Sequence, residues 1–154
     1  IGEKAAATWR ALGADVLVHD PRLADGVSLE ALFAQADLIT LHCALTPSSR
    51  HLINAETLRQ LRPGVILLNT ARGECVDVDA LLAAPPLGGL GLDVFPDEPF
   101  PRLAELAARP NTWVLPHAAG FYQGLGRAVA EELAASVGAF LRTGWPHHVV
   151  TEDE

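Results

Sequence analysis

The chain has 154 residues, of which 49% are hydrophobic and 19% charged, a balance typical of an ordinary globular domain and not of a disordered segment. The formal net charge is −8 and the 11 lysines and arginines are spread out, so we expect no nucleic-acid partner, because a phosphate backbone requires clustered basic groups. No apolar run approaches the roughly 20 residues of a membrane span, and no signal-peptide cleavage site follows the N-terminal segment, so we expect no membrane association.

Helical segments alternate with apolar, strand-like runs along the whole chain. The predicted helices comprise residues 3–12, 29–35, 55–61, 78–84, 103–108 and 124–142, with Ser28, Asn54 and Asp77 as side-chain N-caps. The predicted strands comprise residues 15–19, 37–42, 65–69, 87–94 and 112–115. This alternation predicts an α/β fold with a Rossmann-like doubly wound parallel sheet in a three-layer αβα arrangement. We predict one domain over residues 1–145, followed by a tail over residues 146–154.

An acidic residue follows the first predicted strand, where parallel α/β sheets bind ligands. Asp20 at that position could accept hydrogen bonds from both hydroxyls of an adenosine ribose, and it would repel a 2′-phosphate, which favours NAD over NADP. The alternative is an aspartate that opens a turn before Pro21. Gly2 stands where a glycine-rich phosphate loop would end, after Ile1, so we expect the domain to be incomplete at its N-terminus, with its first strand missing.

Three longer motifs occur in a fixed order: residues 67–73 (LLNTARG), 91–99 (GLDVFPDEP) and 115–120 (LPHAAG). Together they resemble the D-2-hydroxyacid dehydrogenases, and the resemblance covers nearly the whole chain. It implies an NAD-dependent oxidoreductase that interconverts 2-oxo acids and D-2-hydroxy acids by hydride transfer. It also implies a cytoplasmic homodimer with a separate substrate domain, which is absent here. We therefore expect the isolated chain to turn over substrate poorly or not at all.

The resemblance implies a role for three charged or titratable residues. Arg72 resembles the family arginine that holds the substrate carboxylate, a task suited to a planar, permanently charged fork. His117 resembles the general acid/base, and Glu98 its carboxylate partner, which favours the protonated imidazole. From the residues alone, the alternatives are a surface ion-pair arginine, a solvated loop acid and a strand-end histidine bonded to backbone. The cofactor-binding positions implied by the matched motifs and by the first strand are Ile1, Gly2, Asp20, Cys43, Thr70, Ala71, Arg72, Asp93, His117 and Gly120.

Two other functions are open at this point. The chain could be a dinucleotide-sensing regulatory module, since the family's co-repressor relatives keep the same three residues, or it could be an inactive fragment. Glu98 argues against the formate branch of the family, which carries glutamine at that position. The particular hydroxy acid, or phosphite, is not specified by these residues.

The chain has two cysteines, Cys43 and Cys75, at a spacing that fits no metal site. We expect reduced, packed thiols, with a regulatory disulfide as the alternative. The tandem His147-His148 is weak evidence for metal binding, and we predict no metal site.

Overall fold

The structure is a computed structural model that describes residues 1–146. Its internal contacts divide the chain into two compact units, Ile1–Ala119 and Gly120–Glu154. The predicted domain over residues 1–145 extends across both units and stays a prediction. The histidine pair at 147–148 and nearly all of the predicted tail lie outside the described residues.

The first unit is built on a parallel four-stranded sheet. Its strands are β1 (Leu38–Leu41), β2 (Ile66–Asn69), β3 (Gly89–Leu92) and β4 (Thr112–Val114), and they lie side by side in that order. One row across the sheet joins Ile39 to Leu67, Leu67 to Leu90 and Leu90 to Thr112. The predicted α/β fold with a parallel sheet is confirmed.

The described residues form six α-helices, and three of these helices begin at the predicted caps. They are α1 (Gly2–Ala11), α2 (Leu29–Gln35), α3 (Ala55–Leu58), α4 (Val78–Ala83), α5 (Leu103–Ala107) and, in the second unit, α6 (Leu125–Thr143). Ser28 and Asp77 each accept one backbone N–H, from Ala31 and Ala80. Asn54 forms a reciprocal capping box with Thr57. A 3₁₀ turn over Gly73–Cys75 was not predicted.

The hydrophobic core of the first unit lies between the sheet and these helices. Its largest fully buried apolar side chains are Phe33, Ile53, Leu67, Leu81 and Leu106. Phe33, Leu81 and Leu106 come from α2, α4 and α5, so each of these helices contributes an apolar anchor. Burial of this kind stabilises a side chain by about 1.5–3 kcal/mol relative to full exposure.

The predicted strand over residues 15–19 is wrong, because this segment forms no β-ladder within the described residues. Residues 16–19 are half-buried, as their apolar character requires. However, the Val18 carbonyl accepts from the Val27 N–H at 2.9 Å, and the His19 Nδ1 contacts the Val27 carbonyl at 2.8 Å. An apolar run specifies burial, whereas a strand also requires a partner strand beside it.

The second unit contains α6, which is bounded by Gly124 and Gly144, both with left-handed backbone conformations. Five large apolar residues of α6 are exposed by half or more: Val129, Leu133, Val137, Phe140 and Leu141. None of the residues of α6 is buried.

Candidate active site

The predicted site residues of the first unit mostly follow the carboxyl ends of strands. Cys43 lies two residues after β1, Thr70 to Arg72 follow β2, Asp93 follows β3, and His117 lies three residues after β4. Because the strands are parallel, these ends meet at one edge of the sheet. Residues far apart in sequence are thus brought to a common edge.

Asn69, the last residue of β2, fixes the loop that carries Arg72. Its side chain is fully buried, accepts the Ala71 N–H at 3.0 Å and donates to the Arg72 carbonyl at 2.9 Å. The Arg72 guanidinium is exposed and donates from Nη1 to the Ala71 carbonyl at 2.7 Å. Its other N–H groups form no bond to residues 1–146 and are available to bind a carboxylate.

Gly73 lets this loop approach the loop that carries Glu98. A Cβ placed on Gly73 would stand 1.9 Å from the Phe95 carbonyl carbon, so only a glycine fits there. Phe95 in turn donates its N–H to the Glu98 Oε1 at 3.1 Å. The loops after β2 and β3 are consequently packed backbone against backbone.

Glu98 and His117 form the predicted pair. The His117 Nδ1 lies 2.8 Å from the Glu98 Oε2, and the two side chains are 53% and 38% exposed. The hydrogen bond with His117, and secondly the Phe95 N–H, lower the pKa of the Glu98 carboxyl from its usual value. The carboxylate is therefore ionised at neutral pH and faces the imidazole. The Glu98–Pro99 peptide bond is cis.

Asp93 fixes the backbone that presents His117. The aspartate is 3% exposed, and its two oxygens accept the N–H groups of Ala118 at 2.7 Å and Ala119 at 2.9 Å. His117 has a φ of +54°, a left-handed conformation that costs energy in a residue other than glycine. The two amide bonds directly after His117 help to offset that cost. Asp93 was predicted as a cofactor-binding residue, and its bonds to these two amides were not predicted.

The opposite end of the predicted site involves α1 and Asp20. Helix α1 starts without a side-chain cap, so its first N–H groups are open to an anion such as a pyrophosphate. Gly2 lies against His42 just after β1, where a Cβ would stand 3.4 Å from the His42 Cβ. Asp20 is exposed and accepts the Arg22 N–H at 2.9 Å through Oδ1, which is the turn geometry considered as the alternative. The Asp20 Oδ2 forms no hydrogen bond or ion pair within the described residues, so this oxygen is available to accept from a ribose hydroxyl, as NAD would require.

The remaining predicted positions differ in exposure. Ile1 and Thr70 are exposed, Ala71 is buried and Cys43 is half-buried. Gly120 begins the second unit and is exposed. Two residues that order the site were not predicted, Asn69 and Gly73, although both belong to the LLNTARG motif. Membership of that motif was the one feature of the sequence that could have indicated their role in the site.

Neither metal clusters nor membrane helices are found among residues 1–146. No group of three or more histidine, cysteine, aspartate or glutamate side chains in that range could hold a metal ion. No helix in the same range is long and apolar enough to cross a bilayer.

Comparison with known proteins identifies the class to which this fold and site belong. The family model for the D-isomer specific 2-hydroxyacid dehydrogenase NAD-binding domain matches residues 1–119. The chain therefore belongs to this family of NAD-binding domains. The predicted resemblance and the predicted cofactor, NAD, are confirmed.

Individual relatives agree with the family match. Glycerate dehydrogenase of Methylorubrum extorquens is 40% identical over 97% of this chain and 49% of its own. Glyoxylate reductase of Korarchaeum cryptofilum is 38% identical over 82% of this chain and 39% of its own. The D-lactate dehydrogenase of Aquifex aeolicus, solved in complex with NAD and lactic acid, superposes with a TM-score of 0.83 at 31% identity, over 98% of this chain and 55% of its own. The chain thus spans about half the length of such relatives.

Proposed function

We propose that this chain supplies the NAD-binding side and the catalytic residues of an enzyme that interconverts 2-oxo acids and D-2-hydroxy acids. The observation that carries the proposal is the 2.8 Å contact between the His117 Nδ1 and the Glu98 Oε2 beside the carboxyl edge of the sheet. A pure dinucleotide sensor requires no such proton donor. Relatives that act on glycerate, glyoxylate and lactate support the same substrate class.

His117 is proposed as the general acid/base. Glu98 engages Nδ1, which leaves Nε2 as the nitrogen that exchanges a proton with the substrate oxygen. In the reducing direction Nε2 gives its proton to the carbonyl oxygen, and in the oxidising direction it removes the hydroxyl proton. When bound, NAD supplies the hydride chemistry at the substrate carbon. Glu98 holds the ring and stabilises its charged form.

Arg72 is proposed to orient the substrate. Its guanidinium is exposed at the same edge, and Asn69 holds its backbone through the Arg72 carbonyl. Within the described residues the charged group bonds only through Nη1, to the Ala71 carbonyl. A planar fork with several N–H groups can bind a carboxylate in two places. The position of the acid group then fixes which face of the carbonyl meets the cofactor.

The cofactor proposal is tested by titrating the chain with NADH and NADPH while energy transfer from its tryptophans to the nicotinamide is followed. We expect saturable binding of NADH and weaker binding of NADPH, because Asp20 would repel a 2′-phosphate. Replacement of Asp20 by Asn should narrow that difference, whereas Asp25→Asn on the neighbouring exposed loop should leave it unchanged. If neither NADH nor NADPH binds, the proposal is contradicted for this chain.

The catalytic proposal is tested in a protein that carries this domain beside a substrate domain. Loss of a general acid/base typically lowers turnover by about 10²–10⁴-fold, and we expect His117→Gln to fall in that range while NADH binding persists. A sensor would retain partner binding in the same variant and would show no turnover to lose. We expect the 154-residue chain alone to turn over poorly, and rapid NADH oxidation by it would contradict this expectation.

We further propose a homodimer, a cytoplasmic location and no nucleic-acid partner, as the sequence predicted. The formal charge of −8 supports the last of these. Sedimentation of the purified chain over a range of concentrations tests the dimer.

A further inference from the structure

Two thiols that are distant in sequence lie side by side near the proposed cofactor site. The Cys43 Sγ and the Cys75 Sγ are 3.7 Å apart, although 32 positions separate the residues. A disulfide bond measures about 2.05 Å, so the two sulfur atoms would have to approach by only about 1.7 Å. Both cysteines are free thiols in the structure, as expected from the sequence.

The two thiols differ in accessibility and in how firmly they are held. Cys75 is fully buried, its N–H donates to the Arg72 carbonyl at 3.2 Å, and its carbonyl accepts from Ile53 at 3.0 Å. Cys43 is half-buried and begins a loop outside the sheet, in which Ser49 bonds the Ala44 carbonyl at 2.7 Å. Solvent therefore reaches Cys43 first, with Cys75 fixed behind it.

We propose that Cys43 and Cys75 form a redox-active dithiol, which a peroxide converts into an intramolecular disulfide. The Cys43 sulfur attacks one peroxide oxygen and the O–O bond breaks, which gives a sulfenic acid and one water molecule. The Cys75 sulfur then displaces the sulfenic hydroxyl and loses its proton, which forms the S–S bond and a second water molecule. Two electrons pass from the sulfur pair to the peroxide.

The surroundings of Cys75 favour the two uncharged forms of the cysteine pair, the protonated dithiol and the disulfide. Burial, and secondly the neighbouring Cys43, raise the pKa of the Cys75 thiol to about 11. Burial penalises a thiolate, but it does not penalise a protonated thiol or a disulfide, since neither carries a charge. The reduced pair is therefore stable without oxidant, and little Cys75 thiolate is present at neutral pH to attack the sulfenic acid.

The cross-link would join two loops that border the proposed cofactor site, and this part of the inference rests on the proposed function. Cys43 lies two residues after β1, and Cys75 lies three residues after Arg72. Because Cys75 is anchored, the loop of Cys43 would make most of the movement. We expect the displaced loop to bind the adenosine half of NADH less well, with affinity reduced several-fold.

The test treats the reduced chain with hydrogen peroxide and counts its free thiols before and after. We expect two thiols to fall to none, a cross-linked peptide pair that contains Cys43 and Cys75, and recovery of both thiols with dithiothreitol. The Cys43→Ser variant should form no internal cross-link. Cys75→Ala serves as the second single-thiol variant, because a serine hydroxyl at this buried position would lack an assured partner. Persistence of both thiols, or oxidation that only joins separate chains, would overturn the dithiol.

The functional arm repeats the NADH titration on the reduced and the oxidised chain. Several-fold weaker binding that dithiothreitol reverses supports the proposed effect, and equal affinities overturn it. If the reduced chain binds no NADH, the proposed cofactor function fails, while the thiol count still decides whether the dithiol exists.

Discussion

Glu98 uses its two carboxylate oxygens for two different partners. Oε1 accepts the Phe95 N–H, which closes its own loop, and Oε2 faces the His117 imidazole. These contacts lower the pKa of the carboxyl, because both stabilise its ionised form. One carboxylate thus couples the order of a loop to the orientation of the proposed acid/base.

The lowered pKa of the Glu98 carboxyl determines how the stability of the fold depends on pH. A carboxyl with a lowered pKa in the folded state stabilises the fold fully above its ordinary value of about 4.3, and this contribution is lost as the pH falls through the folded pKa. We expect Glu98→Gln to lose less stability than the unchanged chain between about pH 5 and pH 3. The measurement is the urea unfolding midpoint across that range. Asp97→Asn, the exposed neighbour, is the control, and equal pH slopes for Glu98→Gln and the unchanged chain would contradict the expectation.

Asp93→Asn tests how the backbone after His117 is held. An amide keeps only one acceptor oxygen and turns its NH₂ towards the second backbone N–H, so one of the two bonds to Ala118 and Ala119 is lost. We expect a loss of about 1–3 kcal/mol in the free energy of unfolding, the cost of a buried group left unsatisfied. Urea unfolding measures it, with the exposed Asp15→Asn as control. An effect no larger than that of the control would show that these amide bonds contribute little.

All six helices begin within one residue of their predicted starts, whether or not a polar side chain caps them. Ser28, Asn54 and Asp77 all cap where expected, because the cap requires a short polar side chain at one defined position. The helix predicted to run from 55 to 61 ends earlier, in a turn before Pro63-Gly64. The strand predicted over residues 15–19 is wrong because a strand forms only when a second segment pairs with it. The sequence of one segment does not show whether such a partner is present.

Gly73→Ala tests the packing of the loops after β2 and β3. The new methyl group would stand 1.9 Å from the Phe95 carbonyl carbon, and backbone atoms cannot move aside as a flexible side chain can. We expect the free energy of unfolding to fall by about 1–3 kcal/mol, as overpacking does in other proteins. Gly126→Ala in α6, where a Cβ meets nothing within 4 Å, is the matched control and should be neutral or slightly stabilising. A neutral Gly73→Ala would contradict the close packing.

In the molecule as a whole, the hydrophobic core belongs to the first unit. Its buried members run from Phe33 to Leu106, with Val114 of β4 packed against them. The match to the family model covers the same unit, residues 1–119. A compact unit that contains its own core should be able to fold independently.

A chain shortened to residues 1–119 should therefore unfold in a single cooperative urea transition. The matched control ends at Arg109 and lacks β4, so it exposes the edge of β3 and should lose cooperativity. Circular dichroism at increasing urea concentration distinguishes the two chains. A broad, gradual transition of the 1–119 chain would show that its core is insufficient without the second unit.

The sequence motifs specify which residues are candidates for the site, and their roles stay predictions, but the motifs do not predict the geometry of the site. The motifs around Arg72, Glu98 and His117 could be recognised in the sequence because each is a contiguous stretch that resembles a known family. The contact between Asp93 and the amides of Ala118 and Ala119 spans 25 residues or more, and nothing in either stretch indicates the other. The 3.7 Å approach of Cys43 to Cys75 was hidden for the same reason, since it depends on where two loops end in space.

The amino ends of the parallel strands lie at the other edge of the sheet, away from the proposed site. There Arg109 donates to the carbonyls of Leu82, Ala84 and Pro85, which ties the loop before β3 to the loop before β4. The exposed Pro85-Pro86 stretch on this edge is therefore a firm attachment point. A sensor chip or fluorophore coupled to a reactive side chain introduced at Pro86 would leave the carboxyl edge facing solution, so nucleotide binding could be recorded on an oriented, immobilised layer.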